Sequence, residues 1–153
     1  MTDGLITFLR ARLDEDRDEA LAASPGPWTP DGDEYEVLAA DGITVCDGFA
    51  LSNRQLQATV RHIARHDPAR ALREVTAKRE LLDEHLAAKH SVCEDSWYTC
   101  PAATEDRDGG VCSQDDMHGE PCECGRDDRL ARTLQLLALP YADHPDYQES
   151  WRP

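Results

Sequence analysis

The sequence is short of the residues that usually fill a core and of charge of one sign. Aromatic residues occupy 6% of its 153 positions, there are two methionines, and 16 Lys and Arg stand against 31 Asp and Glu, for a net charge of −15 at pH 7. A field of that sign repels nucleic acid and anionic membrane surfaces on average. No apolar run approaches the roughly 20 residues that span a bilayer. The stretch from Leu5 to Leu13 is broken by Arg10 and Arg12 and followed by Asp14, which does not suit a signal peptide. No Gly-rich phosphate loop, Walker sequence or dinucleotide fingerprint is present. These absences point to a cytoplasmic protein with no membrane partner and with its thiols kept reduced, where clustered cysteines favour metal over disulfides.

What is present describes a globular chain. Hydrophobic residues make up 40% and charged residues 31%. A chain of this length fits one domain, residues 1–153, and can bury roughly 70% of its unfolded surface. Charge is unevenly placed. Arg54, Arg61, Arg65, Arg70, Arg73, Lys78 and Arg79 face only Asp67 and Glu74 in their own stretch, whereas both flanks are strongly acidic. The simplest expectation is that these parts complement each other within the fold. The alternative is an exposed basic face for a phosphate or an acidic partner.

The apolar spacing predicts a mainly α (α+β) fold with about four helices. The first covers residues 4–22, with Leu5, Ile6, Phe8, Leu9, Leu13, Ala20 and Leu21 as its stripe, and Ser24-Pro25-Gly26-Pro27 ends it. Residues 28–33 read as a loop. A small β-hairpin follows over about 35–46, turning at Asp41-Gly42. Cys46 reads as a small buried residue of that hairpin. Ser52 begins a capping box with Gln55, opening a helix over 53–66 that buries Leu56, Val60 and Ile63. Asp67-Pro68 supplies an N-cap and a first helical residue for a helix over 68–89, with Leu72, Val75, Leu82 and Leu86 inward. The last helix covers 127–139, with Leu130, Leu134 and Leu137 on one face, and Pro140 stops it. The aromatic tail from Tyr141 to Trp151 is expected to fold back over the core.

Between the last two helices lies a loop, residues 91–125, of mostly Asp, Glu, Gly, Ser and Thr. It carries five of the six cysteines: Cys93, Cys100, Cys112, Cys122 and Cys124. So long a stretch without apolar periodicity is unusual in a compact domain unless something pins it. A structural zinc ion held by four Cys or His ligands is the leading candidate. Cys93, Cys100, Cys122 and Cys124 are the preferred ligands, with Cys112, His118 and His90 as substitutes. The usual pair of Cys-x2-4-Cys spacings is missing: Cys93-x6-Cys100 is wide and Cys122-x-Cys124 tight. Free thiols or a disulfide are the alternative.

Catalytic readings find little support. The deaminase pattern needs His-x-Glu and then Pro-Cys-x-x-Cys, and Pro121-Cys122-Glu123-Cys124 has the wrong spacing. His62 and His66 share a helix face, but Ile63 and Ala64 stand where a His-Glu-x-x-His zinc protease motif needs its Glu. They read first as two partly exposed helix residues. Asp143 is placed to orient His144, yet no nucleophile is set beside it.

Three segments carry a resemblance. Phe8-Leu9-Arg10-Ala11-Arg12-Leu13-Asp14-Glu15-Asp16, His62-Ile63-Ala64-Arg65-His66-Asp67-Pro68-Ala69-Arg70, and the run from Leu136 to Tyr147 ending near Trp151 together resemble a family of short acidic proteins of unknown function from actinobacteria and their phages. The resemblance implies a bacterial or phage cytosol and carries no activity. The expected function is therefore a non-enzymatic accessory or interaction protein, with a structural zinc and a protein partner, and without nucleic acid or small-molecule substrate. An acidic mimic of DNA that occupies a DNA-binding protein is the first alternative, and a zinc-dependent enzyme the second.

Overall fold

In the computed structural model, which describes residues 2–87 and 126–153, the elements run α1 (Thr2–Ala22), β1 (Thr29–Pro30), β2 (Glu36–Leu38), β3 (Thr44–Asp47), α2 (Asn53–Arg65), α3 (Pro68–Ala87) and α4 (Arg126–Ala138). Two short 3-10 helices follow, Leu139–Tyr141 and Glu149–Trp151. Among the described residues, four α-helices and one small antiparallel sheet make the fold mainly α, as the apolar spacing predicts. The chain divides into two compact units, Met1–Leu9 with Glu80–Pro153, and Arg10–Arg79.

The first unit is built on leucines and rings. Leu5, Phe8, Leu9, Leu82, Leu130, Leu134, Ala138 and Trp151 form one buried cluster, flanked by half-buried Ile6, Leu86, Leu137, Tyr141 and Tyr147. The tail beyond α4 reaches this cluster through a series of tight turns. Backbone N–H groups of Ala142, His144, Tyr147 and Trp151 each donate to the carbonyl three residues earlier, at 2.9–3.1 Å. This satisfies the peptide groups while the side chains turn inward, as expected for that tail.

The second unit packs the sheet on α2. Val37 of β2 and Val60 of α2 are fully buried and Ala64 nearly so, with Trp28, Val45, Cys46, Leu56 and Ile63 packed around them. Strand order is β1-β2-β3, all antiparallel, with Thr29 opposite Leu38 and Val37 opposite Cys46. The register slips between Val37 and Leu38, so the hairpin carries an irregularity there. Its turn uses the expected residues. The Gly42 N–H donates to the Ala39 carbonyl at 2.9 Å, Gly42 has φ +79°, and Asp41 Oδ1 accepts from the Ile43 N–H at 3.1 Å.

Helix starts follow their caps. Ser52 Oγ accepts from the Gln55 N–H at 3.3 Å, and Asp67 Oδ1 accepts from the Arg70 N–H at 2.6 Å. Asp67 is buried, and its carboxylate would sit 3.2 Å from a Cβ placed on Gly26, so the loop after α1 passes directly over this cap.

Four expectations change. Residues 28–33 are not wholly loop: Thr29–Pro30 is a third, edge strand. It is too short to show alternation, and its proline suits an edge, where no ladder donor is needed. Leu21 is 64% exposed, because residues at i+4 spacing drift by about 40° per step around a helix, so Leu21 lies far round from Leu5. Leu72 and Leu86 are half-buried, leaving Val75 and Leu82 as the buried pair of α3. Cys46 is half-buried, a free thiol in β3.

Two outcomes test this packing. Leu82→Ala should destabilise by about 2–5 kcal/mol through lost transfer energy and a cavity, while Leu21→Ala should cost under about 0.5 kcal/mol. Equal costs in chemical denaturation would refute the assigned faces. Gly48→Ala should cost about 1–3 kcal/mol by overpacking. The added Cβ would lie 2.5 Å from Leu56 Cδ1, 2.7 Å from Val60 Cγ2 and 3.0 Å from the Tyr35 carbonyl oxygen, where the Gly48 N–H already donates at 2.7 Å.

Candidate functional site

The proposed zinc ligands Cys93, Cys100, Cys122 and Cys124, and the substitutes Cys112, His118 and His90, lie outside the described residues. Among the described residues no group of three or more His, Cys, Asp or Glu side chains is placed to hold a metal ion.

The basic segment of α2 and α3 is committed to carboxylates at three points. Arg61 Nη1 meets Glu34 Oε2 at 2.6 Å, Arg70 Nε meets Glu74 Oε1 at 2.6 Å, and Arg79 pairs with Asp14 of α1. Two of these acids belong to the N-terminal acidic flank, so part of the uneven charge is complemented inside the fold. The hydrogen bond from Arg70 holds the Glu74 carboxyl below its ordinary range, with positive potential from Lys78 and His66 added.

A cleft of about 320 Å³ opens in this second unit. Asp16, Glu19 and Ala20 of α1 form one side, and Pro68, Ala71, Glu74, Val75 and Lys78 of α3 the other, with Trp28 and His66 completing it. The Trp28 indole N–H donates to the Ser24 carbonyl at 3.0 Å, which fixes the ring on the loop after α1. The lining mixes small and apolar side chains with groups of both signs of charge.

The sheet end of the same unit has a different character. Ile43 at the hairpin turn is 63% exposed, and Phe49 and Leu51, between β3 and α2, are 88% and 102% exposed. The Gly48 contact that precedes them presses the backbone onto Leu56 and Val60, so Phe49 is the first residue directed off the core. Sequence reasoning missed these two. Their only signal is that Phe-Ala-Leu precedes a helix cap and belongs to no helical or strand periodicity.

The loop before β2 is held by one carboxylate. Asp31 Oδ1 accepts from the backbone N–H groups of Tyr35 at 2.6 Å and Glu36 at 2.9 Å, and Oδ2 accepts from Asp33 at 3.3 Å. Glu34 within this loop takes φ +60°, an uncommon conformation for a residue with a side chain, and it is the acid that reaches Arg61.

His62 and His66 are both solvent-exposed, with ring centroids 4.5 Å apart. His144 is not oriented by Asp143. Its Nδ1 accepts from the Asp146 backbone N–H at 3.1 Å, and its ring lies 5.7 Å from that of Phe8. That arrangement places it in the aromatic cluster, with the ring proton on Nε2.

No described helix is long and apolar enough to cross a membrane. No curated protein and no solved structure matches the sequence significantly. A family model does match, over residues 2–153, and the chain belongs to that family, described as a family of unknown function (DUF6221).

The Asp31 hydrogen bonds, led by the one from Glu36, hold its carboxyl below the ordinary value. A depressed folded pKa means the stabilisation is complete above the unfolded value, about 3.9, and is lost as pH falls through the folded one. Acid titration followed by amide NMR should therefore move the Tyr35 and Glu36 N–H signals together below about pH 4. In Asp31→Asn that transition should vanish. A titration of both amides unchanged in the variant would show that another group holds the loop.

Proposed function

We propose that this member of the family is a non-enzymatic interaction protein that binds a protein partner and carries a structural zinc ion. The observation that carries the interaction reading is the exposure of Phe49 and Leu51 in the segment between β3 and α2. Large apolar side chains grouped on a polar surface are characteristic of contact sites, and an aromatic anchor is a frequent centre of binding energy. The pairing of Arg61, Arg70 and Arg79 with carboxylates supports a protein partner over nucleic acid, because it reduces the cation available to phosphates. Arg12 and Arg17 also interrupt the acids of α1 through contacts to Glu15, Asp14 and Asp18, which favours this reading over a continuous acidic face imitating DNA.

The zinc part rests on the cysteines. Cys93, Cys100, Cys122 and Cys124 supply a closed set of four thiolates, with Cys112, His118 or His90 able to replace one. Sulfur-rich closed sets order polypeptide and leave no open position for catalysis. Binding would also couple to folding of the segment, because thiolates must be deprotonated and brought together.

Three measurements test the proposal. Protein purified under reducing conditions should hold close to one zinc per chain, and chelation should expose residues 91–125 to protease before the helices melt. In partner capture from the native cell, Phe49→Asp with Leu51→Asp should lose the retained protein while the thermal melt stays unchanged. Anisotropy titration at about 150 mM salt should show no micromolar binding to DNA or RNA. Metal-free protein with an equally protected segment would sink the zinc reading. Partner retention unaffected by the double variant would sink the apolar contact, and nucleic-acid binding lost on charge reversal at Arg65 and Arg70 would put a phosphate-binding face in its place.

A further inference from the structure

His62 lies in the last turn of α2, and His66 is its C-terminal cap. The His66 N–H still donates to the Ile63 carbonyl at 3.0 Å, so the cap residue is anchored to the helix and does not trail from it. Four residues of helix bring the two side chains to within about 40° of each other around the axis, one turn apart. Both imidazoles are exposed, their centroids are 4.5 Å apart, and their planes are inclined by 47°. Among the described residues neither ring makes a hydrogen bond, which leaves nitrogen lone pairs available.

We propose that His62 and His66 form a metal site independent of the cysteines, a two-histidine chelate for a divalent transition-metal ion such as nickel or copper. The distance between the rings is the first argument. A metal–nitrogen bond of about 2.1 Å places the ion roughly 3.2 Å from each ring centre. Two rings at about 90°, the angle between neighbouring ligands of square-planar or tetragonal copper or nickel, are then about 4.5 Å apart, against about 5.2 Å around a tetrahedral zinc. The observed separation matches the former figure. Rotation about each metal–nitrogen bond leaves the inclination between planes free, so 47° is compatible with it. A mutual ring contact alone would give a similar distance, and the experiment below separates the two.

The position on the helix is the second argument. The C-terminal end of α2 carries the negative end of the helix dipole, which favours a bound cation. The arginines nearby oppose it only in part: Arg61 is paired with Glu34 and Arg70 with Glu74, and Arg65 is the neighbouring cation with no carboxylate partner among the described residues. The Glu74 carboxylate shares the cleft with His66, and its charge is the one that offsets Arg70 there. Imidazole nitrogen suits nickel, copper and zinc, whereas calcium and magnesium prefer oxygen. Two protein ligands leave the other coordination positions to water, so the ion would exchange readily.

The cysteines also bind such ions, so the test must resolve residues. The full-length ¹⁵N-labelled protein is titrated with nickel chloride under reducing conditions and followed by amide NMR. The expected result is selective paramagnetic broadening over residues 60–68, weakened at least tenfold in concentration by His62→Ala and again by His66→Ala. His62→Gln and His66→Gln should behave alike, which separates loss of the ligand from loss of helix, and amides of β2 and α4 should be unshifted in all variants. Broadening over 60–68 that persists equally in the variants, or broadening confined to other segments, would overturn the assignment.

Discussion

The burial of Phe8 among the rings of the C-terminal tail is the contact on which the first unit depends. Its ring meets Tyr141 at 6.3 Å, His144 at 5.7 Å, Tyr147 at 6.1 Å and Trp151 at 5.0 Å, three of them edge-on. These partners stand more than 130 positions away in sequence. Closing a chain segment of that size costs about 4 kcal/mol of configurational freedom by simple chain statistics. Ring pairs contribute about 0.5–1.5 kcal/mol each beyond the area they bury, so four of them offset a closure of this size. The turns from Leu139 onward make this possible by satisfying their own backbone groups. A protein with few aromatic residues has thus concentrated five of its rings, Phe8, Tyr141, His144, Tyr147 and Trp151, at one place.

The second unit solves the same problem with small groups at close quarters. Two valines with no exposure, Val37 and Val60, leave no space between sheet and helix. The backbone at Gly48 then fits only without a side chain. Gly26 plays a similar part over the N-cap of α3, where a Cβ would lie 2.9 Å from that of Ala69. Polar groups at the unit's edges are satisfied by carboxylates already present, Asp31 for its loop and Asp67 for its helix start. An acidic composition is in this respect a supply of acceptors for backbone donors, which ordinarily needs Ser, Thr or Asn as well.

Much of this was legible in the sequence because each helix carries its own punctuation. Ser52 and Asp67 mark starts, Asp41-Gly42 marks a turn, and the leucines of α4 mark a face. What could not be read follows from three physical causes. Helical drift moved Leu21 off the stripe it seemed to continue. A two-residue strand such as Thr29–Pro30 has no period to detect, since its existence depends on a partner strand. The third cause is distance: the partners of Arg61 and Arg79 lie at Glu34 and Asp14, and no local rule relates those positions. Of the site, the pairing of His62 with His66 was visible as spacing, whereas the exposure of Phe49 and Leu51 depends on how Gly48 packs. The cysteine ligands rest on spacing alone.

The charge pattern links fold to function. Exposed ion pairs contribute only about 0–1 kcal/mol each, so Arg12, Arg17, Arg61, Arg70 and Arg79 do little to hold the protein together. Their effect is on the field. With a net charge of −15, the chain must limit repulsion among its acids, and each arginine set beside a carboxylate does so locally. Pairing of Arg61 and Arg79 with acids from outside residues 54–79 also reduces the basic character that this stretch shows in sequence. On the interaction reading proposed above, the surface then presents apolar Phe49 and Leu51 within a negative field. Such a surface would attract a partner whose contact region is apolar at its centre and basic at its rim. The field would mainly set the rate of encounter and the choice of partner, and the buried apolar groups the lifetime of the complex. A phosphate-bearing partner would meet the opposite conditions, with repulsion at long range and part of the cationic side chains already engaged at contact.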